Sequence, residues 1–234
     1  VSFVSGRPDF YVGMKFVAVE ECVLGKILVV SRGQVVPFYG VVPGLVGYWA
    51  GEEWLRRQPL TFKERDTVEK DPAWKQPIPY CLLARERAQT GETEYFFYRR
   101  PGSTAETRLH GKVSIGIGGH VDYSDLPADS QGDVGSLSDV VRCAAHREVL
   151  EEVNFAPELP SAIPLAMINH DDTEVASVHF GVVYEVSAVG KVVTPSDELT
   201  EVGWGTVGEL ESRRDEMEGW SQMLLSWLRG RALV

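Results

Sequence analysis

The segment "SDVVRCAAHREVLEEV", residues 138–153, constrains the fold more than any other stretch of the chain. Val141, Ala145, Val149 and Val153 recur every four residues, the spacing of one helix face, so a helix must bury that stripe against another layer. Ser138 is placed to cap its start, and Asn154 to close its end in a left-handed conformation. The same helix puts Glu148, Glu151 and Glu152 on one arc beside the apolar stripe. Like charges at this spacing repel by about 0.2–0.5 kcal/mol per pair, and no lysine lies one turn on. A hard divalent cation would relieve the crowding, because Mg2+ takes oxygen ligands and keeps waters that a phosphate can displace. An isolated E-x-x-E-E is more often a solvated helix face, so what surrounds it decides between the two readings.

Around the helix the pattern is one of strands. "YCLLARER" and "EYFFYRR" are joined by the Gly-containing loop "AQTGET", and "KVSIGIGGH" runs into a Gly-Gly turn. After the helix come "IPLAMIN", "SVHFGVVYEV" and "EVGWGTV", then the terminal helix "GWSQMLLSWLRGRALV". This order predicts an α/β domain with a mixed sheet over residues 78–234. Residues 1–77 read as an N-terminal α+β extension packing on that core. Its strands are "MKFVAVEECV" and "GKILVVSRG" and its helix is "GEEWLRRQ"; a polar, Pro-punctuated connector closes it at 61–77. Residues 121–138, with four Asp, read as an exposed loop.

The charge balance narrows the partners. With 34 acidic against 23 basic residues the net charge is −11, which repels nucleic-acid backbones; a small anionic substrate fits if a divalent cation bridges it to the carboxylates. No apolar run reaches the ~20 residues of a membrane span. The opening "VSFVSGRPDFYVGMKF" lacks the basic start of a signal peptide, and Met14 is an alternative start. Cys22, Cys81 and Cys143 are scattered, with no Cys-x-x-Cys pair, so a cytoplasmic protein without disulfides is expected. Nothing excludes a homodimer. His120, His146 and His179 read as hydrogen-bonded structural histidines, since an oxygen-rich Mg2+ site has no need of imidazole. No G-x-S-x-G elbow supports acyl-enzyme chemistry, and "GIGGH" lacks the spacing of a dinucleotide loop.

"REVLEEVNF" resembles the second half of the Nudix box, G-x5-E-x7-R-E-U-x-E-E-x-G-U with U apolar. Arg147, Glu148, Val149, Glu151, Glu152 and Phe155 match it, and Gly119 is the candidate for the first glycine. The likeness spans roughly residues 78–215. "KQPIPYCLL", "RLHGKVSIGIGGH" and "EGWSQ" further resemble a bacterial branch labelled predicted phosphoesterases of the superfamily. Three departures stand out. Gly119 and Arg147 are separated by 27 residues where the box has 13, so residues 121–138 are expected to be a surface insertion outside the catalytic frame. Asp139 stands eight before Arg147 in place of a glutamate, and Asn154 replaces the terminal glycine.

The resemblance implies a Nudix-like α/β/α sandwich and a Mg2+-dependent hydrolase, with Mn2+ as alternative metal. Such an enzyme would cleave the diphosphate bond of a nucleoside diphosphate linked to another moiety. Glu148, Glu152, an assisting Glu151 and the Gly119 carbonyl would hold the metal, while Arg147 would orient a neighbouring glutamate. Glu198 of "SDELTEVGW" is the candidate general base or extra ligand, with Glu201 next. Arg99, Arg100 and Arg108, with Lys112, are candidates for phosphate contact. Two other readings share the fold: a catalytically silent nucleotide-binding or sensor protein, and an isomerase of isoprenoid diphosphates.

Overall fold

The segment "WKQPIPYCLLARE" forms one long strand, Trp74–Glu86, buried along most of its length. It is labelled β5 in chain order. The computed structural model describes residues 25–35, 45–102, 109–127, 135–156, 161–196 and 199–231. Before β5 come β1 (Lys26–Leu28), β2 (Val30–Ser31), α1 (Arg32–Val35), β3 (Leu45–Gly47), α2 (Tyr48–Arg56), β4 (Phe62–Glu64) and α3 (Arg65–Val68). After it come β6 (Thr93–Arg99), β7 (Val113–Ser114), α4 (Leu137–Glu152), β8 (Val153–Ala156), β9 (Ala162–Ile168) and α5 (Glu174–Val178). The chain continues through β10 (His179–Ser187), β11 (Val192–Pro195), β12 (Thr200–Thr206), α6 (Val207–Glu211) and α7 (Gly219–Arg231).

An eight-stranded mixed sheet runs β12-β6-β5-β10-β9-β3, with β2 added to β5 and β7 to β6. Among the described strands only β5 and β10 run parallel. Alternation along β5 and β10 sends side chains to opposite faces. Cys81, Leu83, Phe180, Val182 and Tyr184 meet Val141, Ala145 and Val149 of α4, while Tyr80, Leu82 and Val183 meet Leu224, Leu225 and Leu228 of α7. Helix, sheet and helix form the three layers of an α/β/α sandwich, and the stripe that opened the sequence reading is buried throughout.

Three local expectations are corrected. Ser136, not Ser138, caps α4: its N–H and Oγ–H donate to Asp139 Oδ2 at 2.9 and 2.6 Å. The helix starts earlier than expected, at Leu137, which is fully buried. Asn154 adopts no left-handed turn; Val153 is already extended, and the chain passes straight into β8, where Asn154 pairs with Thr194. The expected connector ends inside β5, since Pro77 and Pro79 do not break the strand. Cys81 N–H points to the Ile117 carbonyl at 2.7 Å, so the nitrogens two and four residues earlier face that side too, away from β10. β5 therefore runs through residue 77, and β3 joins the main sheet through β9. The strand expected at "MKFVAVEECV" lies outside the described residues. Among the described residues no helix is long and apolar enough to cross a membrane.

Candidate active site

The "GIGGH" segment lies against β5 at Pro79 and Cys81, against Glu148 in the last turns of α4, and, through His120, against His179 at the start of β10. Both glycines are there for close approach. A Cβ on Gly118 would collide with the Pro79 carbonyl, and one on Gly119 would stand 2.5 Å from Glu148 Oε1. Gly119 thus sits against the carboxylate of Glu148 on α4, although 28 positions separate it from Arg147 in sequence.

Arg147 is the hub. Its Nε and Nη2 donate to Asp125 Oδ1 and Oδ2 at 2.7 and 2.9 Å, a bidentate pair. Nη1 donates to Glu148 Oε1 at 2.8 Å and to Glu151 Oε2 at 3.0 Å, and Nη2 also reaches the His120 carbonyl at 2.9 Å. Part of the relief for the crowded carboxylates is therefore internal, through the residue that precedes them. The arginine is bonded to the glutamate that follows it.

Asp125 is the residue that sequence reasoning missed, although the signal was present. Counting back from Arg147 reaches Asp139, whose carboxylate is spent on capping α4. Counting forward from Gly119 by the five-residue spacer of the box reaches Asp125. The extra length accordingly falls after this residue, and the reading of all of 121–138 as an exposed insertion is corrected. Val121 and Asp125 are buried, residues Tyr123–Asp125 form a 3-10 turn closed by Asp122, and Leu137 and Ser138 belong to α4.

Glu148 is 9% exposed. Burial pushes its carboxyl up to about 7, the Arg147 guanidinium holding it back only in part, with Glu151 and Asp125 adding repulsion. Glu151 is exposed and Glu152 half-buried. The Glu152 backbone carbonyl accepts Ser196 N–H at 2.8 Å, which brings the start of the late acidic loop to the end of α4. Glu198 lies outside the described residues. Glu201 is placed elsewhere, with φ +46°, bonded to Arg99 and Arg213.

The arginines separate. Arg99 donates to Glu201, Glu216 and the Gly111 carbonyl, so its guanidinium is already held by carboxylates. Arg100 lies by the Tyr98 ring with Nη2 3.9 Å from Glu218, feels the charge of Glu152, and has a buried Nε with no hydrogen-bond acceptor among the described residues. Arg108 lies outside the described residues. His120 and His179 face each other, Nε2 to Nε2 at 3.3 Å, and His179 Nδ1 is 2.7 Å from the Val175 carbonyl. His146 is partly buried, and burial lowers its pKa.

The donor chemistry at this corner suits a hard cation: a buried carboxylate with a raised pKa and two further carboxylates within a turn. In their present rotamers no three His, Cys, Asp or Glu side chains gather as a cage among the described residues, Glu148 being turned to Arg147.

The layered mixed sheet between helices places the chain in the class of α/β/α sandwiches, the fold it shares with Nudix proteins of known structure. Tm1382, a candidate Nudix hydrolase of known structure, superposes with TM-score 0.66 at 27% identity, covering 87% of this chain and 97% of its own. Protein YmaB of Bacillus subtilis (strain 168) is 32% identical over 169 residues, 70% of this chain and 76% of YmaB. A mutT/nudix family protein from Listeria innocua superposes at TM-score 0.46 and 15% identity, over 68% and 94% of the two chains. No family model matches the chain. The chain belongs to the Nudix superfamily.

Proposed function

We propose that this protein is a divalent-metal-dependent Nudix hydrolase that cleaves the diphosphate bond of a nucleoside diphosphate linked to another group. The observation that carries the reading is Glu148: a buried carboxylate packed on Gly119, oriented by an arginine that Asp125 grips from behind. Glu148 and Glu152, with Glu151 and the Gly119 carbonyl, are the residues to hold Mg2+ or Mn2+. Such a metal, when bound, neutralises phosphate charge and makes a bound water more acidic. The chain's own contribution is orientation. Asp125 fixes Arg147, Arg147 fixes Glu148, and the glycine pair lets the backbone approach that carboxylate. A carboxyl near neutrality can hold or release a proton at Glu148 Oε1 or Oε2. Glu198 remains the proposed general base, and Arg100 the arginine for a phosphate oxygen.

The purified protein with Mg2+ should be incubated with a panel of nucleoside diphosphate derivatives and the products resolved. Release of a nucleoside monophosphate is the expected result. No reaction across the panel, with nucleotide binding retained, would mean a sensor; rearrangement without loss of phosphate would mean an isomerase.

A further inference from the structure

Lys75, near the start of β5, is 1% exposed, a placement lysine rarely takes unless its charge is matched. Its ammonium donates to Asn169 Oδ1 at 2.7 Å and to the carbonyls of Ala176, His170 and His179 at 2.8, 3.1 and 3.2 Å. Asp171 Oδ1 stands 2.6 Å away, and Arg32 of α1 grips the other Asp171 oxygen. An ammonium has three protons, so five oxygens share them. These acceptors all come from one connection, residues 169–179, between the end of β9 and the start of β10. The cation thus occupies the centre of a loop that would otherwise point its carbonyls at one another. Burial lowers the lysine pKa while Asp171 opposes the drop.

The loop leads to the site. The His179 carbonyl is on Lys75, and its ring is on His120. With Nδ1 donating to the Val175 carbonyl, His179 Nε2 is the acceptor and His120 Nε2 the donor. The His120 carbonyl in turn accepts from Arg147, which holds Glu148. We infer that Lys75 is a positioning residue: its ammonium sets the 169–179 loop so that the His179–His120 pair braces the box arginine and the carboxylate it orients. Its effect on turnover rests on the hydrolase reading above, whereas its effect on the histidine pair does not.

Two variants test this. Lys75→Met keeps the stem and removes the charge; Asn169→Ala removes one acceptor and serves if the first does not fold. Each is checked by thermal melting, and long-range 1H–15N spectra of the imidazoles are recorded beside steady-state kinetics. The wild type should show His179 as the Nδ1–H tautomer, and folded variants should show mixed tautomers at that ring. In those variants kcat should fall about tenfold or more, since a shift of about 1 Å at a site can cost about 10²-fold, with KM changing far less. A folded variant with the wild-type imidazole spectrum would overturn the inference, as would an altered spectrum with unchanged kcat. If the wild type turns over no diphosphate, the spectra still decide the role of Lys75, and the hydrolase reading fails on its own.

Discussion

Two buried glutamates, on opposite faces of the same sheet, are treated very differently. Glu218, at the start of α7, accepts from Tyr80 Oη at 2.7 Å and from Ser114 and Ser221 Oγ at 2.9 and 3.3 Å. Neutral hydroxyls surround it, apart from Arg100 at 3.9 Å, and it joins α7 to the sheet. Glu148, at the end of α4, has an arginine on one oxygen, a glycine where a methyl would collide, and two more carboxylates around the same arginine. The first network is finished by hydroxyl donors, as a stabilising network must be. The second carries charge that burial disfavours, the mark of a site arranged for something other than stability. The contrast teaches where each kind of damage should appear: activity on the α4 face, stability on the α7 face.

The largest effect should come from Glu148→Gln, which keeps the shape and removes the charge. Turnover should fall by about 10²–10³-fold, the scale of losing one preorganised electrostatic group. The thermal midpoint without metal should hold or rise, because a costly charge is gone; a normal rate would break the comparison at once. Next, Asp125→Asn should lower turnover by about 10–100-fold through loss of the grip on Arg147. Asp139→Asn should instead cost about 1 kcal/mol of stability through the α4 cap and leave the rate per folded molecule intact. Kinetics and melts on this pair decide which aspartate completes the box, and reversed results would return that role to Asp139. On the other face, Tyr80→Phe leaves Glu218 short of a donor and should destabilise by about 1–3 kcal/mol in a urea titration, with unchanged kcat. The smallest effect is expected for Glu201→Gln, whose exposed carboxylate is shared between Arg99 and Arg213. A large fall in kcat there would instead make it the base.

Much of this was legible in the chain because it is written locally. The stripe Val141, Ala145, Val149 and Val153 and the arc of glutamates need only helical periodicity, and Gly119 with Arg147 carries the box. What was illegible depends on distant partners. Asp125 follows Gly119 by the five-residue spacer of the box, but the choice between it and Asp139 rests on its bond to the distant Arg147. Lys75 sits in "AWKQPIP", which reads as a polar connector, and its acceptors lie 94 to 104 residues further along the chain. The prolines of that stretch look like strand breakers until it is known which way each ring nitrogen faces. Glu201 looked like a loop carboxylate near the site, and only the β12–β6 pairing, Thr200 against Arg99, places it by the arginine cluster.

The central claim is that the Glu148 charge is built to meet a divalent cation. Because its folded pKa, about 7, lies above the ordinary value of 4.5, the native state keeps a proton that the unfolded chain has lost. Its stabilising contribution is complete below about pH 4.5 and is lost as pH rises through 7. A cation that takes the ionised form must therefore expel that proton when it binds near neutrality. Calorimetric titration of Mg2+ at pH 6.5, in two buffers of different ionisation enthalpy, measures this directly. The account predicts release of a sizeable fraction of a proton by the wild type and almost none by Glu148→Gln, which should also bind Mg2+ more weakly. Equal affinity and equal proton release in the two proteins would contradict it.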